Sequence, residues 1–243
     1  MARGQPDFGA LAPTETIVGI SDLGELAARL GSPVTFDRRG NVIWFDDFES
    51  GINKWQKYYS AAGYAIEWSA EISRGGAFSC KISTATGDNK AAGIYHTLPF
   101  PRLSNVGLEL SIYFKQYWRL MYIYHDFNDG AYSYYPRIKY NWNERKFYYR
   151  DEDGNFQEAG LEVNLLATEP GFHTIKLVID MANRQYKRLI VNNQEVDLTG
   201  KEFEQDAWVE PPYLYHECYI TNDSATKPAI AYVDDVIVTQ NEP

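Results

Sequence analysis

The chain is poor in the residues that build disulfide scaffolds and metal centres, with two cysteines and four histidines in 243 residues. A chain of this length can bury a core large enough to fold without staples, so the shortage of cysteine excludes nothing but a disulfide-dense scaffold. Cys80 and Cys218 each fall within a strand-like run. Two such residues leave free buried thiols and one long-range disulfide both open. His96, His125, His173 and His216 have no metal-ligand spacing. Positive charge is also short. There are 23 Lys and Arg against 33 Asp and Glu, a formal net charge of −10. This argues against nucleic acid, whose phosphates draw on clustered Lys and Arg, and against an anionic membrane surface. No run approaches about 18 consecutive apolar residues, so nothing reads as membrane-spanning. Residues 1–20 lack the apolar core of a secretory signal, so the expectation is a protein made in the cytoplasm.

Aromatic residues are abundant: 19 Tyr, 12 Phe and 6 Trp. Such residues suit half-buried pleated surfaces and also ligand and partner surfaces.

Residues 1–20 carry Gly and Pro punctuation without a sustained period and read as an extended arm. The spacing predicts one short helix over 22–30. Leu23, Leu26, Ala27 and Leu30 form one stripe, Asp22 and Glu25 make a capping-box pattern, and Gly31 and Pro33 stop it. A helix of that length needs a surface to dock on, either its own body or a neighbouring chain. Residues 1–40 are therefore expected to be an arm.

From residue 41 to 243 the texture is that of one antiparallel sandwich. Short apolar and aromatic runs recur at 42–48, 64–69, 78–84, 92–97, 107–115, 118–126, 131–140, 145–150, 172–180, 186–192, 213–221 and 230–239. Asn192-Asn193 and Asp153-Gly154 read as hairpin turns. In 172–180, His173, Ile175, Leu177 and Ile179 fall on one face. Thr174, Lys176 and Asp180 fall on the other, which is expected to be solvated.

Four segments carry a family resemblance. They are Trp44-Phe45-Asp46-Asp47-Phe48-Glu49-Ser50-Gly51 with Trp55, Phe172 to Asp180, Leu189 to Val196, and Tyr232-Val233-Asp234-Asp235-Val236-Ile237-Val238. In this order they resemble the concanavalin A-like lectin and glucanase superfamily, including laminin-G-like modules. The resemblance implies a jelly-roll sandwich whose first and last strands pair, bringing residues 44–49 close to 232–238. It also implies a structural Ca²⁺ held by Asp234 with Glu49 and Gly76, Gly75-Gly76 forming the turn before Phe78.

Enzymes of the glucanase branch carry paired carboxylates on one strand. The nearest match here, Glu204, Asp206 and Glu210, has one residue too many and runs into Pro211-Pro212, which does not suit a central strand. The chain is accordingly expected to be non-catalytic. The expected ligand surface lies within 113–149, where Tyr122, Tyr124, Tyr132, Tyr134 and Trp142 would stack on sugar rings. Lys139 is expected on the same sheet, and Arg137, with Arg119, Asp126, Asn128 and Asn141, would reach their hydroxyls. Two functions remain in front. One is a structural or assembly protein, on the plan of a virion decoration or tail-associated component, which forms homo-oligomers or joins other subunits through its arm. The other is a glycan-binding module. A glycoside hydrolase stands third.

Overall fold

The structure is a computed structural model, which describes residues 39–100, 103–165 and 171–243. The helix expected at 22–30, and all of the arm but Arg39 and Gly40, lie outside the described residues. Eighteen strands follow one another: β1 Asn41–Asp46, β2 Gln56–Tyr59, β3 Ala65–Ser69, β4 Ser79–Ser83, β5 Ala91–Pro99, β6 Asn105–Gln116, β7 Trp118–Tyr124, β8 Phe127–Asn128, β9 Tyr132–Tyr134, β10 Arg137–Asn141, β11 Lys146–Arg150, β12 Phe156–Glu162, β13 His173–Asp180, β14 Gln185–Val191, β15 Gln194–Asp197, β16 Gln205–Ala207, β17 Tyr213–Asn222 and β18 Ile230–Gln240. Among the described residues there is no helix, and so none long and apolar enough to cross a membrane.

The strands form two antiparallel sheets. The eight-stranded sheet runs β15-β14-β13-β6-β18-β4-β3, with β1 also on β18. The ten-stranded sheet runs β12-β11-β10-β7-β17-β8-β9-β16, with β5 on β17 and β2 on β5. The first and last strands pair as expected, Trp44 opposite Val238 and Asp46 opposite Val236. Asn192-Asn193 closes the β14–β15 hairpin, with Asn192 at φ 55° in the left-handed conformation that Asn tolerates best among non-glycine residues. The chain passes from one sheet to the other at Tyr117, also at positive φ. The core lies between the sheets. Leu108, Leu110, Ile112, Ile175, Leu177, Val233 and Val238 come from one sheet, and Ile94, Met121, Ile123, Ile138, Phe147, Leu214 and Ile220 from the other.

The motif Trp44–Trp55 has a structural explanation. The carboxylate of Asp46, 1% exposed, accepts hydrogen bonds from Trp55 Nε1 and Lys54 Nζ, each at 2.7 Å. Both cysteines are free and buried. The polar face of β13 departs from expectation because it is not solvated. Lys176 is 1% exposed and its Nζ lies 2.7 Å from Glu242 Oε1 and 3.8 Å from Glu109 Oε2. The C-terminal segment after β18 folds over this face and supplies the counter-charge.

Candidate functional site

Alternation along β17 divides its side chains. Leu214, Cys218 and Ile220 enter the core, so Tyr213, Tyr215, Glu217 and Tyr219 face outward. The same parity in β7 turns Tyr122 and Tyr124 outward, and in β10 Arg137 and Lys139. Register then sets these groups side by side. One row reads Gln56, Tyr95, Glu217, Tyr124, Arg137 across β2, β5, β17, β7 and β10. The next reads Tyr58, Gly93, Tyr219, Tyr122, Lys139, Tyr148, ending on β11.

The second row is an aromatic track. Tyr219 stacks on Tyr122 with ring centroids 4.6 Å apart and planes 13° apart. Tyr58 meets Tyr219 at 4.9 Å, and Phe156 meets Tyr122 edge-on at 6.0 Å. Gly93 is required within it, because a Cβ there would overlap the Cys218 carbonyl oxygen and the Tyr219 Cβ. Its missing side chain lets the Tyr58 and Tyr219 rings meet across β5.

The first row holds the ionisable groups. Glu217 is 5% exposed and accepts the Tyr215 hydroxyl at 2.8 Å. Burial, with the nearby Asp126, pushes its carboxyl up to about 7. Asp126 is pushed up to about 6 by burial, against the pull of Arg137. Arg137 grips Asp126 through Nε at 3.1 Å and Nη2 at 2.5 Å and lies over the Tyr124 ring at 4.1 Å. The hydroxyls of Tyr124 and Tyr219 are 2.6 Å apart, and burial raises both above the usual tyrosine value. A carboxyl that titrates near neutrality can both give and take a proton at pH 7. At one end of the face a cleft of about 550 Å³ opens between Tyr135, Asp206, Trp208, Glu210 and Tyr213.

The structure thus brings Tyr122, Tyr124 and Arg137 together, with Asp126 and Lys139 beside them. Other expected ligand residues lie elsewhere. Tyr134 is 1% exposed, stacks on Phe127 at 4.5 Å and donates to Asp129 Oδ2 at 3.0 Å. Tyr132 and Tyr134 share a side of β9: Tyr134, opposite Phe127, is covered by the core, whereas Tyr132, opposite Ala207 at the sheet's far end, is left exposed. Trp142 follows the end of β10 and packs on Trp118, ring centroids 5.0 Å apart. Asn128 is buried and gives its amide to Ser133 Oγ and the Trp208 carbonyl. Glu204 forms an ion pair with Arg150 at 2.7 Å. Sequence patterning did not single out Glu217, Tyr215, Tyr219, Tyr58 or Tyr148. The signal present was a glutamate flanked by tyrosines at i−2 and i+2 in Tyr215-His216-Glu217-Cys218-Tyr219.

The residues expected to hold calcium do not fit a cation. Glu49 Oε1 accepts the amides of Ala77 and Phe78 at 2.7 and 2.8 Å, and Asp234 Oδ2 accepts those of Arg74 and Gly75 at 2.7 and 3.4 Å. The Gly76 carbonyl accepts from Ser73 Oγ at 3.3 Å. Calcium needs six to eight convergent oxygens, and here amide hydrogens point at Glu49 Oε1 and Asp234 Oδ2 and a hydroxyl at the Gly76 carbonyl. The positive charge is supplied by Arg74, whose guanidinium lies 3.9 Å from Asp235 and donates to Ser111. Among the described residues no group of three or more His, Cys, Asp or Glu is placed to hold a metal.

No family model matches the chain. No curated protein matches it either. Solved structures do. The cellulose induced protein Cip1 is 14% identical with a TM-score of 0.59, over 81% of this chain and 96% of that one. An endo-β-1,4-glucuronan lyase from the fungus Trichoderma reesei is 12% identical with a TM-score of 0.55, over 82% and 96%. A protein of unknown function with a galectin-like fold from Bacillus subtilis is 10% identical with a TM-score of 0.52, over 83% and 97%. At these identities the likeness is one of fold: the body is a jelly-roll β-sandwich.

Proposed function

We propose that the outward face of the ten-stranded sheet binds a polysaccharide laid across its strands. The observation that carries this reading is the aromatic track from Tyr58 through Tyr219 and Tyr122 to Phe156, bordered by Glu217, Asp126 and Arg137. Sugar rings stack their C–H faces on aromatic rings, and polar groups at the margin take their hydroxyls. The fold is compatible with this: two of its structural neighbours carry names that refer to carbohydrate, a cellulose induced protein and a glucuronan lyase. The test is affinity electrophoresis in gels containing soluble polysaccharides, comparing the unaltered chain with Tyr122→Ala. Retardation that weakens about 2- to 10-fold on losing one stacked ring supports the reading. Retardation by no polysaccharide overturns it.

Cleavage of the bound chain is a second reading, favoured by the Glu217 carboxyl at about 7. It requires the release of sugar ends by the unaltered protein and its loss in Glu217→Gln. Assembly through residues 1–40 remains a separate proposal, carried by the sequence of that segment. It fails if the full chain and a chain lacking residues 1–40 run as the same monomer in size-exclusion with light scattering.

A further inference from the structure

The cations bordering the aromatic track are engaged, with one exception. Arg137 holds Asp126, Lys146 lies 2.8 Å from Glu158, Arg150 lies 2.7 Å from Glu204, and Arg119 donates to Asn89 Oδ1 at 3.1 Å. Lys139 has no carboxylate within ion-pair distance and no hydrogen-bond acceptor among the described residues. It stands in the middle of the face, its backbone opposite Tyr122 on one side and Tyr148 on the other. Its Nζ lies 4.5 Å from the ring centroids of both Tyr148 and Phe156. The rings favour a cation there but accept none of its three N–H donors as a carboxylate would. The acid that acts on it is Glu144, and the Tyr148 hydroxyl donates to that carboxylate. Burial holds the ammonium below the usual lysine value. A half-buried cation without an ion pair or hydrogen bond is therefore kept one strand from the stacked pair Tyr122–Tyr219.

Neighbouring strands lie about 4.8 Å apart, close to the width of one sugar ring. A sugar laid over the outward edges of the stacked pair Tyr122 and Tyr219 would carry a ring substituent to the Lys139 ammonium. A carboxylate or sulfate ester there would answer the unused donors. Of the neighbouring acids, Asp126 is paired with Arg137, Glu158 with Lys146, and burial pushes Glu217 toward its neutral form, while Glu144, which acts on Lys139, accepts the Tyr148 hydroxyl. The chain's net charge of −10 acts through salt whose screening length is about 8 Å, so the cation at hand dominates.

We infer that the polysaccharide bound by this face is anionic, and that Lys139 takes its charged oxygens. This rests on the proposed glycan-binding role of the face and adds the substrate class. The experiment is affinity electrophoresis with alginate and polygalacturonate, with dextran sulfate, and with neutral xylan and β-glucan. The proteins are the unaltered chain, Lys139→Met, which keeps an unbranched apolar stem between the rings, and Lys139→Arg. The expected result is retardation by an anionic polymer that weakens at least about tenfold in Lys139→Met, returns in Lys139→Arg, and falls with added salt only where the cation is present. Preference for the uronates identifies a carboxylate as the ligand group, and preference for dextran sulfate a sulfate ester. Equal retardation by neutral polymers in the unaltered chain and Lys139→Met overturns the inference and leaves the glycan face standing. Retardation by none of the polymers overturns both. Thermal melting of each variant identifies any loss that comes from unfolding, and Lys139→Arg then decides the matter.

Discussion

Tyr215 donates its hydroxyl hydrogen to Glu217 Oε2 at 2.8 Å, two residues along the same strand and on the same side of it. The bond is made to a carboxyl that is nearly excluded from water and pushed up from the usual glutamate value of 4.5 to about 7. The fold therefore favours protonated Glu217. The stability this gives is fully present below the unfolded value and is lost as pH rises through 7. Glu217→Gln fixes the neutral form. Relative to the unaltered chain, the variant should gain stability between pH 4.5 and 8, by up to about 3 kcal/mol. Urea unfolding at the two pH values measures it. The buried His125, held down to about 3 by burial, acts in the opposite sense, losing stability as pH falls below the usual histidine value. Only the difference between the two proteins isolates Glu217. A constant difference would mean that Glu217 is ionised throughout.

Glu242 is the counter-ion of two buried cations. Its carboxylate lies 2.7 Å from Lys176 Nζ, pairs with the Arg188 guanidinium, and accepts from Thr239 Oγ1 at 2.6 Å. Removing one member of such a group leaves the others charged and desolvated, at a cost of about 3–5 kcal/mol. Glu242→Ala should lower the melting temperature on the order of 10 °C. Calorimetry showing a change of less than a degree or so would mean that water reaches Lys176.

Arg74 lies in the turn beside the residues at which the family resemblance implies calcium. With amide hydrogens on Glu49 and Asp234 and a guanidinium beside Asp235, the turn at 72–78 has its positive charge built in. Excess chelator or excess calcium should leave the melting temperature unchanged, and Arg74→Met should lower it by leaving Asp235 and the buried Asp234 uncompensated. A rise in melting temperature with calcium would restore the metal.

The sandwich was legible because its marks are local or terminal. The apolar runs alternate, Asn192-Asn193 sits in a two-residue turn, and the motifs at 44–51 and 232–238 are those of paired end strands. Five strands lie outside the runs: β2, β8, β12, β15 and β16, with β12 and β15 implied only as the far arms of the turns at 153–154 and 192–193. All but the two-residue β8 are edge strands in which exposed polar residues hide the alternation. The run at 131–140 is two strands, broken at Tyr135-Pro136. Lys176 read as solvated because alternation reports which side of a strand a residue is on, and Glu242, 66 positions later, is what covers that side. The site followed the same rule. Tyr122 and Tyr124 share a parity within one strand, and that can be read. That Glu217 stands opposite Tyr124, and Tyr219 opposite Tyr122, depends on a register between residues 93 and 97 positions apart, which no local pattern encodes.

Tyr134 and Tyr219 give the sharpest test of which tyrosines serve the core and which the face. Tyr134 is sealed between Phe127 and Phe203, its hydroxyl on Asp129. Truncation to Ala opens a cavity and should cost about 3–5 kcal/mol. The protein that remains folded should bind polysaccharide as before. Tyr219 is also nearly buried, at 8% exposure, but its cover is the neighbouring rings of the face itself, Tyr58, Tyr122 and Tyr124. Tyr219→Ala removes the centre of the track and frees the Tyr124 hydroxyl. It should weaken binding about tenfold, since both the stacking and the alignment of Tyr122 are lost. Its cost in stability should stay below that of Tyr134→Ala, because the space it leaves opens to solvent and does not remain an empty cavity. Paired measurements on the two variants, melting temperature against gel retardation, should therefore separate along different axes. If Tyr134→Ala weakens binding as much as Tyr219→Ala does, the ligand does not lie on the face that these strands share.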